Sequence, residues 1–405
     1  MNKASIFILA LIAIVIFWNT PKSVGEWRSH PPVAINSKAN PGEVDGHSNS
    51  GGRRIVRIKD TIIVICPHKT GERTYRSTDN GESWVEIDKD GGSSGCLISG
   101  PNETIYHFYR KDNNIYMVKF RYSNMPPDPV SIYSTPNLSK SITGLYRALN
   151  AIVGPDGRLY VACHWGTPDR LFLLRSSDNG VTWNGPFEIS EDASGWYYPH
   201  LEVNSQNILV CAYDKFKHDE HEIIFAKSAD GGKTWTRKSI SREITFNPSL
   251  LTVGESSFFI FAQSVEKQHR GLVFKISTDI GNTWSKWQLI EKTCGYADPS
   301  PALAEDGTTI FVAYRSSNKT GIKTGSCGNR SRSRLTMSPD LGRNWNVVDH
   351  YYEGERTGTR NQTRYQTWWN YGGPLEWIWM QYESKGSNRP IYYDINHNIQ
   401  IFNMR

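Results

Sequence analysis

One eight-residue phrase, Ser-x-Asp-x-Gly-x-x-Trp, occurs five times in this chain and constrains its fold more than any other feature. The copies run from Ser77 to Trp84, Ser176 to Trp183, Ser228 to Trp235, Ser277 to Trp284 and Ser338 to Trp345. Each fixed position has a physical role. The Asp can accept bonds from N–H groups of its own turn, and the Gly supplies the positive φ that a tight hairpin needs. The Trp is a large apolar anchor able to lock the hairpin against a neighbouring sheet. Successive Asp positions are 99, 52, 49 and 61 residues apart, so the first interval spans two units, one of them without the phrase. A period of about 50 residues in strand-rich units implies a propeller rather than a sandwich.

The chain between and around the phrases divides into seven strand groups, at about 47–88, 93–133, 145–189, 196–240, 246–290, 296–348 and 363–402. The second and seventh carry no phrase, and the sixth holds a Gly/Ser/Arg-rich insertion at 320–334. Seven groups predict seven blades, or six if an end group only completes another blade. A single propeller domain over 47–405, preceded by a linker at 25–46, accounts for the array. Composition agrees: 14 Trp, 20 Tyr and 34 Gly, with no sustained helical period, describe an all-β protein.

Residues 1–24 stand outside the array. Lys3 precedes a largely apolar run of 15 residues, Ala4 to Trp18, which is short for a membrane span and suits a signal-peptide core. Ser23-Val24-Gly25 is a small-x-small cleavage site, and an uncleaved N-terminal anchor is the alternative. Either way the protein is expected outside the cytoplasm, with a membrane as partner only through this segment. A net charge of +6 permits an anionic ligand. Nucleic acid is not an expected partner, because no basic run or aromatic–basic module appears. Cys66, Cys163 and Cys211 lie in apolar runs and read as buried strand residues. Cys294 and Cys327 fall in loop-like sequence, where an oxidising compartment would let them pair. No metal-ligand spacing, phosphate loop or nucleophile elbow is visible, so no metal and no cofactor is expected.

The five phrases resemble the Asp boxes of the sialidase superfamily, which sit in the outer hairpins of propeller blades. That resemblance implies structural box aspartates, and chemistry on the rim where innermost strands begin and second strands end. The third group is similar to the family's opening blade: Tyr146-Arg147-Ala148-Leu149, then Asp156-Gly157, then Asp169 nine residues before Asp178. Arg147 would then hold a substrate carboxylate bidentately, and Asp169 would act as acid/base at a partly enclosed rim. Asp298, Asp306-Gly307 and Arg315 follow the family's order in a later blade, with Asp298 where Glu is the rule. Arg389 or Arg364 would be the third arginine, and His164 and Trp165 join as rim residues for substrate binding. The family's nucleophilic Tyr works beside a carboxylate base. The resemblance finds no place for it after Arg389 in the family's order, so it would come from the first two groups, with Tyr109 as the candidate.

The first group resembles another class. His47 and His68, 21 residues apart, are similar to the paired histidines of seven-bladed propeller lyases that cleave uronate polysaccharides. In that class a His or Tyr removes the proton α to the uronate carboxylate, and an Arg neutralises the carboxylate; Tyr109 and Arg121 would complete the set. A glycan-binding propeller without chemistry is a third reading, resting on rim aromatics such as Trp196, Tyr197 and Tyr198, whose faces would stack on sugars. The sequence thus predicts an exported carbohydrate-active enzyme acting on an acidic oligo- or polysaccharide. A sialidase-like exo-glycosidase stands first, with a uronate lyase and a binding propeller as alternatives.

Overall fold

The computed structural model describes residues 33–36, 54–68, 71–112, 114–134, 149–165, 170–190, 199–217, 220–241, 245–266, 270–293, 299–304, 306–317, 331–351, 364–367, 375–380 and 391–396. Among them every regular element is a strand, and no helix is long and apolar enough to cross a membrane. The segment 1–24, and with it the expectation of a signal peptide or anchor, lies outside the described residues.

Six four-stranded antiparallel sheets follow one another, each with its strands in chain order. The first holds Ile55–Ile58, Thr61–His68, Gly71–Ser77 and Val85–Gly91, and the second Ser93–Gly100, Thr104–Lys111, Asn114–Arg121 and Val130–Ser134. The third holds Asn150–Val153, Leu159–Trp165, Arg170–Ser176 and Asn184–Ser190, and the fourth His200–Val203, Leu209–Lys217, Glu220–Ser228 and Thr236–Ser241. The fifth comprises Thr245–Val253, Ser257–Ser264, Gly271–Ser277 and Gln288–Lys292, and the sixth Ser300–Leu303, Ile310–Ser317, Ser331–Ser338 and Asn346–Tyr351. A further sheet draws on both ends of the chain: Val33–Asn36 pairs with Ile391–Asn396, followed by Leu375–Met380 and Arg364–Thr367. The stretch 25–46, read above as a linker, therefore contributes a strand. Successive sheets meet through their first strands, which is the arrangement of a β-propeller.

The second strands read as near-continuous apolar runs because both of their faces are covered. In Leu159–Trp165, Leu159, Val161 and Cys163 pack toward the second sheet, while Tyr160 and Ala162 pack toward the fourth. Cys163 and Cys211 are buried thiols within such strands, and Cys96 is a buried thiol in the first strand of its sheet. The side chain of Cys66, and Cys294 and Cys327 altogether, lie outside the described residues.

The box closes the hairpin from third to fourth strand through a short relay. Ser176 is buried, accepts from the Gly180 amide at 2.8 Å and donates to Asp178 at 2.7 Å. Asp178 accepts in turn from the amide and hydroxyl of Thr182, at 2.9 and 2.6 Å. The Trp183 indole donates to the Gly180 carbonyl at 3.2 Å. The same relay recurs around Asp79, Asp230 and Asp279.

The boxes of the third to sixth sheets also reach the preceding sheet. Trp183 stands edge-on to Phe108 at 5.7 Å, Trp284 to Phe225 at 5.1 Å, and Trp345 to Phe274 at 5.3 Å. The box Gly is needed twice over. Gly281 has φ 76°, and a Cβ there would lie 2.1 Å from the Phe225 ring. In the third and fourth sheets the residue just before the box Ser works in the other direction: Arg175 donates to the Gly231 carbonyl at 2.9 Å, and Lys227 to the Ile280 carbonyl at 3.1 Å.

Two predictions follow from these contacts. Gly281→Ala combines backbone strain with overpacking and should lower stability by about 2–4 kcal/mol in urea unfolding. Asp230 is exposed, so water replaces part of what it accepts, and Asp230→Ala should cost nearer about 1 kcal/mol. The second concerns acid. Hydrogen bonds from Ser83, Thr182 and Thr283 hold Asp79, Asp178 and Asp279 at about 2, below the ordinary 3.8. A depressed carboxylate stabilises above its unfolded value and loses that contribution as pH falls through its folded one. Thermal stability should therefore drop between about pH 4 and pH 2, less steeply in Asp178→Asn.

Candidate functional site

Where first strands begin and second strands end, the apolar core gives way to a buried polar layer, and register decides its members. Asn150 pairs with Ala162, His200 with Ala212 and Ser300 with Ala313. The residues two further along the second strands, His164, Asp214 and Arg315, thus occupy one level. Arg110, two past Phe108, is their counterpart in the second sheet. Strand alternation sends Arg110 toward the third sheet with Tyr106 and Phe108, His164 toward the fourth with Tyr160 and Ala162, and Asp214 toward the fifth with Val210 and Ala212.

His164 is 1% exposed and His200 2%. The His200 Nδ1 accepts from the Leu250 amide, which leaves its proton on Nε2. Asn150 is fully buried, and neither of its side-chain polar atoms has a hydrogen-bond partner among the described residues. Burial pushes the Cys163 thiol up to about 12, against the pull of the Arg110 guanidinium, so this cysteine is an inert core residue.

Between the first and second sheets the layer is ionic. Arg54 pairs with Glu72 at 2.8 Å, and His107 Nε2 lies 4.0 Å from the other Glu72 oxygen. Burial raises the Glu72 carboxyl, but Arg54 and then His107 outweigh it and hold the group below the usual carboxylate range. The bare backbone of Gly95 makes room: a Cβ there would sit 2.0 Å from a Glu72 oxygen. Glu72→Gln would leave Arg54 buried without its counter-charge and should cost about 3–5 kcal/mol, read as a lowered unfolding midpoint.

The candidates from sequence are placed as follows. His164 lies in the polar layer. Tyr109 does not stand open on the rim; it is buried between the first and second sheets, stacked on Tyr116 at 5.5 Å. It packs the blade rather than meeting a substrate, because its place in the alternation faces the core. Arg121 pairs with Thr104 and Tyr109 with Tyr116, so the two sit toward opposite ends of the sheet, with Arg121 exposed. The fold does not bring them together. For His68, Trp165, Arg315 and Arg364 only the backbone, at strand ends, is described. His47, Arg147, Asp169, Asp298, Arg389 and the Trp196–Tyr198 stretch lie outside the described residues. The two Asp-Gly phrases cap first-to-second-strand hairpins at the far end: Asp156 accepts from the Arg158 amide at 3.1 Å, and Asp306 from those of Thr308 and Thr309 at 2.8 and 2.7 Å. Sequence reading missed Arg54, Glu72 and His107; the available signal was charge inside otherwise apolar strands.

A family model described as a BNR repeat-like domain matches residues 158–369. No curated protein sequence matches the chain. Among solved structures, a polysaccharide lyase described as a PL25 ulvan lyase is similar with a TM-score of 0.62 at 11% identity, over 91% of this chain and 96% of the lyase. It has also been solved bound to -[GlcA(1-4)Rha3S]-. A protein of unknown function from Dyadobacter fermentans gives 0.52 at 13% identity, over 92% of this chain and 100% of its own. A Hadza microbial sialidase gives 0.50 at 13% identity, over 82% and 74%. At these identities the likeness is one of fold.

Proposed function

We propose, from the premise that this chain belongs to the BNR repeat-like family, that it is an exported carbohydrate-active enzyme cleaving an acidic glycan by β-elimination. One observation carries the reading: a guanidinium, Arg110, and an imidazole, His164, occupy the same level of adjacent sheets at the end where first strands begin. β-Elimination beside a uronate carboxylate needs a cation to neutralise that carboxylate, a base for the α-proton and an acid for the leaving oxygen. Arg110 serves as the cation and His164 as the base in this reading. His47 and His68, on the same rim by sequence, are the candidates for the acid.

Two further points support it. The lyase of similar fold acts on a uronate polysaccharide, and its fold spans nearly the whole of both chains. Tyr109, the Tyr proposed for a sialidase-type nucleophile, faces the first sheet and stacks on Tyr116, on the opposite face of its strand from Arg110, which also weighs against that chemistry. Exo-hydrolysis of sialidase type is the second reading, favoured by the order of Arg147, Asp169 and Arg315 in the chain.

A lyase product carries a C4–C5 double bond that absorbs in the ultraviolet, whereas a hydrolase releases a saturated sugar. Incubation with ulvan and other uronate polysaccharides should raise ultraviolet absorbance. His164→Ala and Arg110→Ala should each lower kcat/KM by roughly 10²–10³-fold, with the fold kept. Release of a saturated terminal sugar without absorbance would overturn elimination in favour of hydrolysis. Binding with neither product would leave a glycan-binding propeller.

A further inference from the structure

Among the described residues with positive φ, Asn247 is the one non-glycine inside a strand, at φ 56°. It sits in a bulge of Thr245–Val253, where the pairing steps from Phe246 opposite Gln263 to Ser249 opposite Phe261. Pro248 follows it and narrows its conformations further. Such strain persists only where surrounding structure imposes it, and bulges cluster where a strand re-aims side chains at a site. Here the imposing group comes from the preceding sheet. The Asn247 amide donates to Asp214 Oδ2 at 3.0 Å.

Asp214 is 1% exposed, and its other oxygen has no hydrogen-bond partner among the described residues. Burial raises its carboxyl well above the ordinary range, only partly offset by the Asn247 amide. His200, on the same face of the fourth sheet, accepts from Leu250 in the same strand. The fourth sheet thus grips the first strand of the fifth at two points.

We infer that Asp214 is a positioning residue, a latch that holds the left-handed bulge at Asn247 and thereby fixes where the fifth sheet's first strand enters the rim. Its catalytic consequence rests on the β-elimination reading; the latch itself does not. The latch needs only an oxygen that accepts from the Asn247 amide, and a side-chain amide supplies one, which gives the idea a sharp test.

Amide hydrogen exchange at Asn247 and turnover of a uronate polysaccharide are measured on the full chain for Asp214→Ala and Asp214→Asn. Asp214→Ala should lose protection at Asn247 and lower kcat by about 10–100-fold, with KM changed far less. Asp214→Asn should keep that protection and recover most of the lost kcat. If Asp214→Ala folds poorly, adding Asn247→Gly should restore it, because glycine adopts positive φ without strain. Unchanged protection at Asn247 in Asp214→Ala overturns the latch. Protection kept but turnover lost in Asp214→Asn also overturns the proposal, since the carboxyl would then take part in proton transfer. If the wild type turns over no uronate polysaccharide while Asp214→Ala still frees Asn247, the elimination reading fails and the latch stands.

Discussion

The docking of each box onto the sheet before it is the contact on which the frame depends. A four-stranded sheet has two apolar faces and cannot bury both by itself. The box solves this at its outer hairpin: a tryptophan lies edge-on against the preceding sheet's phenylalanines, and a glycine permits that sheet to come closer than any side chain would allow. In the third and fourth sheets the basic residue just ahead of the box serine reaches forward to the next hairpin's carbonyls. Each of these two sheets is thus held by one neighbour and holds the other.

The opposite end of the sheets has a different economy. There Arg110, His164 and Asp214 stand toward the ends of the second strands instead of Val or Ile, and Asn150, His200 and Asn247 at or near the starts of the first strands. Burying these groups costs stability unless each is paired, and several are only partly satisfied. Arg54, Glu72 and His107 pair with one another, whereas Asn150 has no such arrangement. A layer of this kind is what a chemical site requires and what a purely structural ring would discard.

The fold was legible because its signals are local and repeated. Ser, Asp, Gly and Trp at fixed offsets specify a hairpin on their own, and five copies at propeller spacing specify the ring. The role of the box serine was less visible, since its hydroxyl becomes important only when burial leaves the glycine amide no water to bond. The polar layer was legible only in part. His164 stood out at the end of an apolar run, but Glu72 derives its meaning from Arg54 at the edge of its own sheet and His107 across a sheet boundary, which spacing along the chain does not encode. The packing of Tyr109 was hidden for a related reason. Its residue type suggested chemistry, while its parity in the strand assigned it to packing.

The ends of the sheets also age differently in evolution. Hairpins that fasten one sheet to the next sit at the end away from the polar layer, so substitutions and insertions among the rim loops need not loosen the ring. A chain built this way can exchange one substrate for another by rewriting loops, while selection on folding acts on a handful of tryptophans and glycines elsewhere. The frame is conservative by construction, and the rim is where novelty is cheap.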